Sequence, residues 1–265
     1  MRYVFRKKAY ARIAGFVDAF GRLFFRYRQH AAPEPKTLLV VRLDHLGDVL
    51  GATGIPQALK GHHPSAKIIF LTSTAGKALL ENNPYVDEVL VYDAPWFRRP
   101  GGAYEKTGFW KVVGELKKRR VDLGLSLRGD ARENLLLFLA GVRFRVGYGI
   151  TGLGFLLHRE LSYREEAPEI QHSLDILRAL GIHRDVLLPA VFFSDEEEAR
   201  IKSLAAEGAG KTTVGVQLDA GSSAKSWPEA NRSAFLDKVF KRFPDLRFLF
   251  FGADPAMASW LEKRL

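Results

Sequence analysis

Among the residues able to do chemistry, Asp48 comes first. It closes the stretch Arg42-Leu43-Asp44-His45-Leu46-Gly47-Asp48. The apolar run Thr37–Leu43 reads as a strand buried on both faces, and a helix is expected from about Asp48 to Lys60. Open α/β sheets hold their ligands beyond the carboxyl ends of the strands, where this turn falls. Gly47 permits a tight turn and a close approach by another molecule. A carboxylate there can take a proton from a substrate hydroxyl. It can equally cap the helix, a position Asp favours. Spacing alone leaves both readings open.

A second stretch, Gly221-Ser222-Ser223-Ala224-Lys225-Ser226-Trp227-Pro228, lies between an expected strand and an expected helix. Small residues let backbone N–H groups point outward, Ser222 and Ser223 add hydroxyls, and Lys225 adds charge. Pro228 opens a helix whose positive end faces the same loop. A diphosphate suits it; the plain alternative is a solvated loop with a Ser cap. Two other patterns mislead. Ala205–Thr212 fits a relaxed phosphate-loop pattern but follows a helix and precedes a strand, the wrong order. Gly47, Gly51 and Gly54 are not spaced as a dinucleotide fingerprint, and Asp44 and Asp48 would repel a pyrophosphate.

The elements that would position these residues alternate. Strands are expected at 67–71, 86–92, 123–127 and 142–147, with helices at 75–82, 109–120, 134–140 and 172–180. This makes an α/β fold with a parallel, doubly wound sheet. The acidic helix 194–207 carries a capping box, Ser194 with Glu197. A second alternation follows: strand 213–218, helix 228–243, strand 247–251 and helix 255–265. It is too short for a full sheet, so the second doubly wound domain is expected to be incomplete.

The net charge of +10 is uneven. Residues 1–32 hold eight Lys and Arg against Asp18 alone, a net +7, which leaves +3 for the rest. The nearly balanced body argues against nucleic acid as a partner. Within 1–32, Ile13, Phe16, Val17, Phe20, Leu23 and Phe24 recur at helical spacing. No apolar run approaches the ~20 residues a membrane span needs. A basic, aromatic amphipathic helix reads as a membrane-surface element. The alternative is a helix packed on the body with its basic face in water. There is no cysteine, which fits a reducing compartment and rules out thiolate metal sites. His62-His63 is expected to be a solvated loop.

Taken in order, the motifs resemble glycosyltransferase family 9, the lipopolysaccharide heptosyltransferase family. They are Val41–Leu50, Asn83–Val89, Leu127-Arg128-Gly129-Asp130-Ala131-Arg132, Arg145–Tyr148, His172 with its helix, Gly221–Pro228 and Phe250-Phe251-Gly252. The resemblance covers residues 37–265. It implies a GT-B fold of two Rossmann-like domains, with 37–190 on the acceptor side and 191–265 binding the nucleotide sugar. It implies an inverting glycosyltransferase that needs neither metal nor cofactor. The donor would be a nucleotide sugar such as ADP-heptose, and the acceptor a lipopolysaccharide core or lipid A-type glycolipid. Asp48 matches the family's base, and Ser222, Ser223 and Lys225 match its donor diphosphate residues. Asp44, Arg128 and Arg132 are assigned to the acceptor, with an exposed basic turn as the alternative for the two arginines. The expected location is cytoplasmic, peripheral on the inner face of the cytoplasmic membrane. The family's Asp-Ser/Thr-Gly-x-x-His stretch has no match after Gly252, and Ala256 stands where heptosyltransferases tend to place a Glu. A second reading is therefore an inactive, truncated relative that only binds membrane or acceptor.

Overall fold

The computed structural model describes residues 3, 8–25, 34–98, 108–217, 220 and 225–252. The chain divides into two units, Met1–Phe192 and Phe193–Leu265. The first runs α1 (Lys8–Phe24), β1 (Thr37–Val41), α2 (Leu46–Ala52), α3 (Ile55–His62), β2 (Lys67–Thr72), α4 (Thr74–Lys77) and β3 (Glu88–Val91). It continues with α5 (Phe109–Arg119), β4 (Leu123–Ser126), α6 (Ala131–Leu139), β5 (Phe144–Tyr148), β6 (Arg159–Leu161) and α7 (Glu169–Ala179). Short 3-10 turns sit at Pro95–Phe97 and Gly154–Leu156.

The strands form one sheet in the order β3-β2-β1-β4-β5-β6, every neighbouring pair parallel. In central β1, Leu38, Leu39, Val40 and Val41 are fully buried. Alternation divides them between two layers. Leu38 and Val40 pack with residues of α2, α3 and α7. Leu39 and Val41 pack with residues of α5 and α6. Each such side chain gains about 1.5–3 kcal/mol from leaving water.

The single helix expected over 48–60 is two helices. Pro56 sits in the first turn of α3, where its missing N–H costs nothing, but it interrupts any longer hydrogen-bond ladder. Gly54, at the break, lies against the Leu188 carbonyl and has no room for a side chain. Strand β6 was not anticipated, because Arg-Glu-Leu offers no apolar run. His63 is buried rather than solvated, with Nδ1 2.8 Å from Glu34 Oε1.

The second unit contains α8 (Asp195–Ala206), β7 (Thr213–Gln217), α9 (Glu229–Arg242) and β8 (Arg247–Phe251), with β7 and β8 parallel. The capping box forms as expected: the Glu197 N–H donates to Ser194 Oγ at 3.2 Å and the Ser194 N–H to Glu197 Oε2 at 2.8 Å. Residues 205–212 make a helix-to-strand turn through Gly210, at φ +83°. Pro228 is the N-cap of α9, one place before the position expected for it. The helix expected at 255–265 lies outside the described residues.

Candidate active site

The site is assembled where β1 ends. The chain leaves the sheet at Arg42, whose side chain is 3% exposed. Its Nε donates to Asp44 Oδ1 at 2.7 Å and its Nη1 to Glu169 Oε1 at 2.7 Å. Its Nη2 lies 3.5 Å from Asp48 Oδ1. Burial works against the Arg42 charge, but Asp44, Glu169 and Asp48 outweigh it and hold the guanidinium above its ordinary value. Burial likewise pushes Glu169 up, and the charge and hydrogen bond of Arg42 outweigh it, leaving the carboxyl below its usual value. One guanidinium thus ties the end of β1 to the first turns of α2 and α7.

Asp48 is the third residue of α2, not its cap. His45 holds the N-cap position and makes no side-chain cap bond. The Asp48 N–H donates to the His45 carbonyl at 2.9 Å, while its side chain is 36% exposed. The carboxylate therefore stands at the positive end of a helix, beside Arg42, and open to solvent.

The turn after β4 meets the turn after β1. Arg128 Nη1 donates to Asp44 Oδ2 at 2.6 Å, and the Arg128 guanidinium lies 4.8 Å from the Phe97 ring centre. Arg132 is held elsewhere. Its Nε and Nη2 donate to the two Asp130 oxygens at 2.7 and 2.6 Å, and it lies 4.4 Å over Trp96. Asp130 also accepts the Arg132 N–H at 2.9 Å, which caps α6. The structure thus joins Asp44, Asp48 and Arg128 through Arg42, with Arg132 on a neighbouring pair.

A cavity of about 180 Å³ opens at the same strand ends, lined among others by Asp44, His45, Ser73, Asp93, Phe97 and Arg98. Asp93 accepts from the Thr74 N–H at 2.8 Å and the Thr74 hydroxyl at 2.5 Å. Arg98 Nε donates to the Asp93 carbonyl at 3.0 Å. Behind this wall Glu133 is fully buried, accepting from Ser126 Oγ at 3.1 Å. Burial, then Asp130 and Asp44, push its carboxyl up to about 8. His172 is buried against Tyr163, ring centres 4.0 Å apart, and its Nε2–H donates to the Arg164 carbonyl at 3.0 Å.

In the second unit Lys225 is exposed, three residues before the Pro228 cap of α9. Ser222 and Ser223 lie outside the described residues. Among the described residues no His, Cys, Asp and Glu group could hold a metal ion.

Several contributors were not assigned from sequence. Arg42 belongs to the quoted motif, and its place at a strand end was the available signal. Glu169, three residues before His172, has only helical spacing to recommend it. Nothing in the sequence marks Asp93, Phe97 or Arg98 as wall residues.

Comparison with known proteins bears on this arrangement. No family model matches the chain. A putative glycosyltransferase of Haemophilus influenzae is 25% identical over 144 residues, 53% of this chain and 39% of that protein. The lipopolysaccharide core heptosyltransferase OpsX of the same organism is 26% identical over 119 residues, 43% of this chain and 30% of that protein. The matches span less than half the length of these curated relatives. Among solved structures, a family 9 glycosyl transferase from Veillonella parvula superposes with TM-score 0.71 at 18% identity, covering 90% of this chain and 69% of that one. E. coli ADP-heptose lipopolysaccharide heptosyltransferase II gives 0.65 at 18% identity, covering 85% and 67%. E. coli heptosyltransferase WaaC with ADP gives 0.61 at 14%, covering 86% and 70%. The chain has the fold of glycosyltransferase family 9 and, over part of its length, the sequence likeness of a glycosyltransferase.

Proposed function

We propose that the protein is an inverting, metal-independent glycosyltransferase. It would move a sugar, heptose by likeness to the heptosyltransferases, from a nucleoside diphosphate donor such as ADP-heptose to a lipopolysaccharide-type glycolipid. The observation that carries this is the Arg42 hub, which holds half-exposed Asp48 and buried Asp44 on one guanidinium, with Arg128 bonded to Asp44, at the carboxyl ends of β1 and β4. We assign residues 37–190 to the acceptor and 191–265 to the donor. The acceptor hydroxyl attacks the anomeric carbon opposite the leaving group. A new C–O bond forms, the C–O bond to the diphosphate breaks, and the hydroxyl proton passes to Asp48. Lys225, Ser222, Ser223 and the N-terminus of α9 take the charge released on the diphosphate, so the step needs no metal. Arg128 and Arg132 receive anionic groups of the acceptor, their guanidinium planes backed by Phe97 and Trp96. The work would take place at the cytoplasmic face of the membrane, with residues 1–32 at that surface.

The test is a transfer assay on the full chain with ADP-heptose and a heptose-free lipopolysaccharide acceptor, read by mass spectrometry. A product heavier by one heptose supports the reading. No product, together with no melting shift on adding ADP, overturns it. A shift with UDP or GDP in place of ADP would keep the transferase and replace the donor.

A further inference from the structure

Helix α1 is built inside out for a helix in water. The face it packs on the first unit is small and polar. Asp18 is fully buried, accepting from the Leu153 N–H at 2.7 Å through Oδ1 and from the Tyr3 hydroxyl at 2.9 Å through Oδ2. Gly21 lies under the Phe155 ring, and Gly152, at φ +103°, lets Ala14 come close. Arg22 pairs with Glu160. Just past the helix, Phe25 packs against Phe138 and Phe155, at 5.6 and 5.4 Å.

The opposite face carries Ile13, Phe16, Val17, Phe20, Leu23 and Phe24, between 41 and 75% exposed. An amphipathic helix docked on a soluble body turns such a stripe inward. Here the carboxylate is inside and the rings are outside. This is a large contiguous apolar patch, of the kind that marks an interaction surface. Arg12, exposed, flanks it one residue before Ile13, about 100° around the helix. The surrounding segment 1–32 carries a net +7.

The charge decides the occupant. Two copies of so basic a segment repel each other, whereas anionic headgroups attract it. The helix is 17 residues long, and no described helix is long and apolar enough to cross a membrane. An in-plane position, with one face at the acyl boundary, suits these dimensions.

We propose that the Ile13–Phe24 face of α1 docks on an anionic bilayer surface, and that the Asp18 lock fixes the helix to the body in that orientation. The inference deepens the glycolipid reading and rests on it for the reason to sit at a membrane. It also connects the surface to the acceptor side. Asp18 holds Leu153; two residues earlier, Thr151 Oγ1 accepts the Ala131 N–H at 2.8 Å, next to the Asp130–Arg132 pair. A bilayer under α1 would therefore lie at a set position relative to the turn that carries Arg128 and the first turn of α6 that carries Arg132.

The experiment is flotation of the full chain with vesicles of phosphatidylcholine, with and without phosphatidylglycerol, lacking both glycolipid and sugar donor. Binding is then read independently of transfer. We expect flotation with the anionic vesicles only. The pair Phe16→Ser and Phe20→Ser should weaken it at least tenfold, and Arg12→Glu several-fold. These side chains are exposed, so melting temperature should hold in each variant; Phe24→Ser alone is a further variant on the same face. Failure of the native chain to float, or equal flotation of the Phe pair, overturns the proposal. So does a concentration-dependent dimer that the Phe pair dissolves, which would give the face to a second copy. If flotation succeeds while no heptose is transferred and neither ADP, UDP nor GDP shifts the melting temperature, the docking surface stands and the transferase reading falls.

Discussion

Arg128 Nη1 lies 2.6 Å from Asp44 Oδ2, across the carboxyl ends of neighbouring strands β1 and β4. From β1 the chain lays β2 and β3 to one side of the sheet, and then returns to lay β4, β5 and β6 on the other. The ion pair therefore spans the point where the winding reverses, the place where such sheets open a crevice for ligands. Its two ends differ. The Asp44 side chain is fully buried, while that of Arg128 is 38% exposed and within reach of an anion in solvent.

That asymmetry sets the first prediction. Arg128→Gln leaves Asp44 still bonded to Arg42, so the fold should lose no more than about 1 kcal/mol. Asp44→Asn removes a carboxylate from the buried Arg42 guanidinium, and should cost about 3–5 kcal/mol. Urea unfolding of both variants checks this. In the transfer assay Arg128→Gln should raise the acceptor KM and leave the donor KM unchanged. Equal destabilisation by the two variants would mean that Arg128 is a structural partner.

Asp48→Asn separates a base from a helix-terminus charge. Asp48 is not the cap, and its side chain is partly exposed. Losing its charge in the first turn of α2 should cost only about 0.3–1 kcal/mol. Loss of a general base should slow turnover about 100- to 10,000-fold. A variant that melts as expected yet turns over within a few-fold of the native chain would remove Asp48 from the mechanism.

Legibility in the sequence follows how local each cause is. Strands β1 and β2 announce themselves, because a central parallel strand is buried on both faces and has to be a continuous apolar run. The apolar stripe of α1 is likewise visible from its period. Which side of α1 meets the body is not, because Asp18, Gly21 and Ala14 find their partners some 130 residues away, at Gly152, Leu153 and Phe155. The site divides the same way. Asp44 and Asp48 stand out beside a strand end. The bond from Asp44 to Arg128 joins residues 84 apart and depends on β4 lying next to β1, an order that periodicity does not set. Glu133 precedes the helix expected at 134–140 and carries no sign of burial in the sequence, yet it is fully buried and accepts from Ser126 at the end of β4.

Gly129 sets the path of the Arg128 turn. It has φ +76°, and a side chain there would meet Tyr148 Cβ at 2.5 Å and the Tyr148 carbonyl oxygen at 2.7 Å. Tyr148 is itself anchored, its hydroxyl donating to the His172 carbonyl at 2.8 Å. Gly129→Ala therefore meets a left-handed backbone, worth about 1–2 kcal/mol, and a clash that buried Tyr148 cannot relieve by moving. We expect a loss of more than 2 kcal/mol in urea unfolding, roughly the backbone term plus that of overpacking. Transfer should fall with it because Arg128 is displaced. Gly141→Ala is the control: its φ is +72°, but nothing lies near its would-be side chain. It should lose only the backbone term, about 1 kcal/mol. Equal losses at the two positions would show that the Tyr148 contact is immaterial.

Glu133 makes stability depend on pH. Burial and the nearby Asp130 and Asp44 raise its carboxyl from 4.5 to about 8 in the folded protein. Between those values the folded state holds a proton that the unfolded chain releases. The unfolded state then binds fewer protons, so stability falls as pH rises through this window. The favourable contribution is fully present below the ordinary carboxyl value and is gone above the folded one. Glu133→Gln is neutral at every pH and keeps the shape, so its unfolding free energy should lack this slope. Relative to the native chain it should gain on the order of a few kcal/mol between about pH 5 and pH 9. Urea unfolding of both proteins at about pH 5, 7 and 9 measures the difference. If the two curves run parallel, Glu133 ionises in the folded protein as it does in water, and the wall behind Asp44 carries a full negative charge.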